Sequence, residues 1–317
     1  MRSKLAFFRV GTRSLRAPAQ HQQSLRNAGG PARQSALVPP YIEQAVRSEC
    51  QRVHWPATRM QTTMTDQEIT QIDAARADIG MVCSLPFEID EFLGRCQRKK
   101  TYSGGSFKFV GGLYDGIRIA VVEAGTGPVR ARRATMALQD AHHPRWIIST
   151  GFAGALQPDL KIGNIVVANE IVGLQGEQLK IDLGMSSDPG RGLYVGRTLT
   201  VDKMVRTVAE KQSLATQTGA IAVDMETLSV ATVCRETKTR FMAVRTISDD
   251  LSADLPPEVL SLIGDTGAVR FGAVIGSLWK RPSSAKDMWR MRENAMQAAE
   301  HLASFLDGIV VQLHKST

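Results

Sequence analysis

The segment Trp146-Ile147-Ile148-Ser149-Thr150-Gly151-Phe152-Ala153-Gly154 decides the architecture. Five uncharged residues read as a strand, and the glycine-bounded run that follows leaves a floor of small residues at its carboxyl end. Upstream, Ile79 to Ser84 reads as a buried first strand, with a helix opening at Pro86. Residues 107–110 and 117–123 flank Asp115-Gly116, a hairpin signal. The turn Gly125-Thr126-Gly127 feeds Pro128 and a helix to about 142, with Val129, Ala134, Leu138 and Ala141 near one face. Downstream come a strand over 165–168, a looser stretch over 173–196 and an amphipathic helix over about 201–214. A short apolar run at 221–223 leads into a helix over about 226–235. An apolar strand over 241–247 and a long helix over about 288–313 close the chain. Strands alternating with helices predict an α/β fold, a single domain over 75–317 with a mixed central sheet flanked by helices.

Charge separates this body from what precedes it. The 317 residues carry 39 Lys and Arg against 31 Asp and Glu, a formal +8. Residues 1–63 hold ten of those bases and only two acids, Glu43 and Glu49, so the remainder is balanced. A nucleic-acid footprint is expected on a folded surface as well as on a tail, so the net charge does not point to a nucleic-acid partner. Residues 1–74 read as a basic, disordered extension, or a start placed too early with Met60 or Met64 as the true start; a transit peptide has a similar composition. Cys50, Cys83, Cys96 and Cys234 form neither a CxxC pair nor a Cys/His cluster. Reduced thiols in the cytoplasm and no metal site are expected. No apolar run reaches the ~18 residues of a membrane span, so no membrane partner is expected.

In open α/β sheets ligands bind beyond the carboxyl ends of strands. Three predicted strand ends deliver acids there: Glu88 after the first, Asp224 and Glu226 after 221–223, and Asp249 with Asp250 after the last. One such acid alone is ordinary N-cap chemistry. Three at one sheet edge, beside the small residues of 149–154, make an acid-lined pocket suited to hydroxyl-rich or nitrogenous substrates.

The segments 79–88, Ser149-Thr150-Gly151-Phe152-Ala153-Gly154, Ala222-Val223-Asp224-Met225-Glu226 and Arg245-Thr246-Ile247-Ser248-Asp249 resemble, in order, the motifs of the nucleoside phosphorylase and nucleosidase superfamily. The pattern is most similar to that of methylthioadenosine/S-adenosylhomocysteine nucleosidases. The resemblance implies a nucleoside phosphorylase-like fold and cleavage of the N-glycosidic bond of a purine nucleoside, a 5′-substituted adenosine such as methylthioadenosine or S-adenosylhomocysteine. It implies that Asp249 hydrogen-bonds or protonates N7 of the base and that Glu88 holds the attacking water. Glu226 would bind the ribose hydroxyls, with Met225 packed on the sugar and Asp224 and Ser248 beside them. Phe152, Ala153 and Gly154 would form the floor, and Met204 would stand where an aromatic residue usually stacks on the purine. Two further departures are Asp224, where glutamate is usual, and Phe152, where serine is common. The resemblance also implies a homodimer and no cofactor.

Water or phosphate as nucleophile turns on an anion site. Phosphorylases are expected to place an arginine near the floor motif, where this chain has Ser149. Gly125-Thr126-Gly127 has the form of an anion cradle, but a tight turn before a helix is the commoner use. Arg130, Arg132 and Arg133 read as solvated helix residues. These features favour hydrolysis, with a phosphate-dependent phosphorylase or a non-catalytic nucleoside-binding protein of the same fold as alternatives. His142 and His143 read as surface residues at a helix end, Cys83 as packing, and Met288, Met291 and Met296 as a core or subunit-contact stripe.

Overall fold

The computed structural model describes residues 76–257, 259 and 283–316, without the side chains of 283–288. The proposed extension over 1–74 lies outside the described residues. Among the described residues ten strands make one mixed sheet. They are β1 (Ile79–Cys83), β2 (Gln97–Gly104), β3 (Phe107–Tyr114), β4 (Ile117–Glu123), β5 (Trp146–Ala155), β6 (Ile165–Gly173), β7 (Gln178–Lys180), β8 (Leu193–Thr200), β9 (Ala222–Asp224) and β10 (Arg240–Asp249). The helices among the described residues are α1 (Asp90–Arg95), α2 (Pro128–His142), α3 (Val208–Thr218), α4 (Thr227–Glu236) and α5 (Ser283–Lys315), with a 3-10 turn at Pro86–Glu88.

The deciding strand is the hub. Its first half pairs in parallel with β1 on one side and with β10 on the other. Side chains alternate: Trp146 and Ile148 face a core shared with Phe92 of α1 and Leu302, Leu306 and Leu313 of α5. Ile147 faces Ala131, Ala134 and Leu138 of α2 and Val230 and Cys234 of α4. Helices therefore cover both faces, as strands apolar on both sides require. None of the helices among the described residues is long and apolar enough to cross a membrane.

β1 ends at Cys83, its last partner on β5 being Ser149. Further along, β9 pairs antiparallel at Gly154 and Ala155. Between these partners the edge of β5 is open, and there the floor residues lie. β10 also pairs with β6, β6 with β8 and β8 with β9, so five strands close into a ring around the floor.

The hairpin forms as expected, with Asp115 and Gly116 both at positive φ, the left-handed pair that a tight two-residue connection demands. Other expectations need correction. Residues 97–104 form β2, an exposed edge strand whose Lys- and Arg-rich sequence carries no apolar alternation to betray it. The looser stretch contains β7 and the start of β8. The helix expected over 201–214 begins only at Val208: Val201 N–H bonds to Asp224 O, prolonging the sheet, and Thr207 caps α3. On α2 the buried face is Ala131, Ala134, Thr135 and Leu138, whereas Val129 and Ala141 are exposed.

Candidate active site

Each acid arrives from a different element. Glu88 ends the 3-10 turn after β1 and enters the gap at the open edge of β5. Its Oε2 accepts from the Ser84 and Leu85 N–H groups, both at 2.9 Å, and its Oε1 from Phe152 N–H at 3.3 Å. Burial raises its pKa, against the lowering effect of these donors and of Arg245. Gly151 makes the fit possible: its φ is +145°, and a Cβ there would lie 2.9 Å from Glu88 Oε2.

Glu226 stands at the N-terminus of α4. Its Oε1 accepts from Gly127 N–H at 2.7 Å, and burial, reinforced by the Asp224 carboxylate, pushes its pKa up to about 7. The glycine turn that sequence offered as an anion cradle thus receives an anion of the chain itself. Two of the arginines beyond it are engaged elsewhere, Arg130 Nε donating to Ala124 O at 2.8 Å and Arg132 pairing with Glu236, and Arg133 is exposed.

Asp224, at the end of β9, is held from inside the protein. Oδ2 accepts from Arg245 Nε at 2.7 Å and Oδ1 from Thr200 Oγ1 at 2.7 Å, and Thr227 Oγ1 donates to Oδ2. The same guanidinium donates through Nη2 to Ser149 Oγ at 2.9 Å and to Thr227 Oγ1 at 2.8 Å. Arg245 is a buried counter-ion beneath the acids, which the apolar reading of its strand passed over. A lone charge inside an apolar run was the available signal.

Asp249 ends β10. Its Oδ1 accepts from Ser248 Oγ at 2.7 Å and its Oδ2 from Lys211 Nζ at 2.5 Å. Gly154 leaves room for this pair, since a Cβ there would lie 3.0 Å from Asp249 Oδ2 and 3.3 Å from Lys211 Cε. Nothing local in the sequence marks Lys211, which sits on a helix with weak apolar periodicity.

All ten residues singled out from the sequence line one cavity of about 930 Å³: Glu88, Phe152, Ala153, Gly154, Met204, Asp224, Met225, Glu226, Ser248 and Asp249. Phe152 packs its ring 5.5 Å from that of Phe87, walling the cavity beside Glu88. Met291 and Met296 also line it, so these two methionines of α5 face the cavity, while the Met288 side chain lies outside the described residues. The polar groups are few and convergent on a largely apolar wall, the usual form of a small-molecule site.

Residues 78–191 and 184–276 match the family model described as the phosphorylase superfamily. The chain belongs to this superfamily. Within it, the methylthioadenosine/S-adenosylhomocysteine nucleosidase of Mycobacterium tuberculosis (strain CDC 1551 / Oshkosh) is 26% identical over 235 residues, which cover 60% of this chain and 92% of that protein. The fold is shared with the crystal structure of the Neisseria meningitidis 5′-methylthioadenosine/S-adenosylhomocysteine nucleosidase in complex with methylthio-immucillin-A, at TM-score 0.55 and 19% identity, covering 73% of this chain and 97% of the other. It is also shared with the native futalosine hydrolase of Helicobacter pylori strain 26695, at TM-score 0.56 and 20% identity, covering 75% and 99%.

Proposed function

We propose that this superfamily member is a purine nucleosidase that cleaves the C1′–N9 bond of a 5′-substituted adenosine with water. The observation that carries the reading is the delivery of Glu88, Glu226 and Asp249 by three separate elements into one cavity. Cleavage builds positive charge on the sugar ring, and carboxylates fixed around it stabilise an oxocarbenium-like transition state. Glu88, with backbone N–H groups on both oxygens, orients the water and takes its proton as it attacks C1′. Glu226 accepts from the ribose hydroxyls, Met225 packs on the sugar, and Asp249 with Ser248 serves N7 of the departing base. Phe152, Ala153 and Gly154 form the floor and Met204 faces the base. Asp224 contributes through its pairing with Arg245, which keeps the cluster of acids from being an unbalanced buried charge. The names of the similar proteins support this substrate class, and Ser149, taken up by Arg245, supports water over phosphate.

The test is release of the purine base, adenine from methylthioadenosine and S-adenosylhomocysteine and hypoxanthine from inosine, each with and without phosphate. Phosphate-independent release that falls by about 10²–10⁴-fold in Asp249→Asn is expected. Strict dependence on phosphate would make the protein a phosphorylase, and binding without turnover a nucleoside-binding protein.

The working unit we infer is a cytoplasmic homodimer. Exposed apolar side chains at Val129, Met136 and Leu174 offer material for a subunit contact, and Cys83, Cys96 and Cys234 are free thiols suited to a reducing compartment. Light scattering at micromolar concentration should give about twice the 34.6 kDa chain mass; a species of one chain mass overturns the dimer.

A further inference from the structure

Lys211 has no exposed surface, and no other lysine among the described residues is buried. Taking an ammonium out of water costs several kcal/mol unless its hydrogens are matched. Here they are: Nζ donates to Asp249 Oδ2 at 2.5 Å, Asp249 O at 3.3 Å and Asp250 O at 3.2 Å. The arrangement is held from both sides. The Thr207 cap fixes the first turn of α3, and the segment after β10 is laced to that turn through Val208 N–H to Asp254 Oδ1 at 2.7 Å, Arg206 Nη1 to Leu255 O at 2.5 Å and Leu255 N–H to Arg206 O at 2.9 Å. With Ser248 on one carboxylate oxygen and Lys211 on the other, the plane of the Asp249 carboxyl is defined by two elements at once.

We propose that Lys211 is a positioning residue for leaving-group protonation, acting on the base through Asp249. This rests on the nucleosidase reading above. As the C1′–N9 bond breaks, its electron pair goes to the base and N7 takes the proton from Asp249. Asp249 is left as the carboxylate, whose new charge the Lys211 ammonium offsets. The water attacking C1′ loses its proton to Glu88, and solvent then returns a proton to Asp249 and removes one from Glu88. Lys211 therefore matters when the base needs a proton to leave and is dispensable when it does not.

The experiment compares two substrates with the same sugar, methylthioadenosine and p-nitrophenyl 5-methylthioriboside, whose phenolate leaves without protonation. In Lys211→Met, kcat on the purine substrate should fall by about 10²-fold or more, while turnover of the aryl riboside falls less than about fivefold. Lys211→Arg should recover part of the purine activity. A merely structural role lowers both substrates equally, and that result, or no loss on either, overturns the proposal. If Lys211→Met does not fold, the same ratio is read on Lys211→Arg, where a purine-selective loss supports the role and an equal loss overturns it. A wild-type protein that turns over neither substrate fails the nucleosidase reading, and this role with it; equal losses in an active enzyme fail this role alone.

Discussion

Glu226 shows how one carboxylate ties the site to stability. Burial and the Asp224 charge lift it from the ordinary 4.5 to about 7. Between these values the native chain keeps a proton that the unfolded chain has released, so stability falls as pH rises through this interval and levels off above it. The full interval corresponds to about 3 kcal/mol, at 1.36 kcal/mol per pKa unit. Urea denaturation at pH 5 and pH 8 should show a larger loss in the wild type than in Glu226→Gln, which keeps only the share of other raised groups such as Glu88; identical pH dependence in both would remove Glu226 as a source. At this scale the acids were legible because each follows an apolar strand, where a charge stands out. Arg245 stood out in the same way, as a lone charge inside an apolar run, but its partner Asp224, 21 residues away, did not; Lys211 carried no such signal, and Asp249 lies 38 residues away.

Among the elements, β5 does most to shape the site. It outlasts β1, and Gly151 at the break takes a φ that side chains rarely adopt while Glu88 occupies the space of the missing Cβ. Gly151→Ala should destabilise the fold by about 1–3 kcal/mol and lower kcat at least about tenfold by displacing Glu88. Denaturation midpoints and turnover measured together check both effects; full activity would show that Glu88 tolerates the shift. The small-residue run was readable as a floor, but its partner was not. The boundary of α3 was readable in principle, because Thr207-Val208-Ala209-Glu210 is a capping box, with Thr207 Oγ1 accepting from Glu210 N–H at 3.2 Å and Glu210 Oε2 from Thr207 N–H at 2.9 Å. Apolar periodicity alone placed the helix seven residues too early.

For the whole molecule, α5 closes one face of the sheet and sends Met291 and Met296 into the cavity wall. Leu306, fully buried between this helix and the sheet, is expected to cost about 2–5 kcal/mol on replacement by alanine. Chemical denaturation measures it, and a cost below about 1 kcal/mol would show that α5 is not a principal support of the core. The sequence by itself determined the alternation of strands and helices, the hairpin, and the three acids at strand ends, because periodicity, turn residues and a charge after an apolar run are local properties. Only the tertiary structure decided that five strands close into a ring, that the edge of β5 opens where Glu88 enters, and that Lys211 and Arg245 face Asp249 and Asp224. Those pairings join residues far apart in the chain, and only packing brings them together.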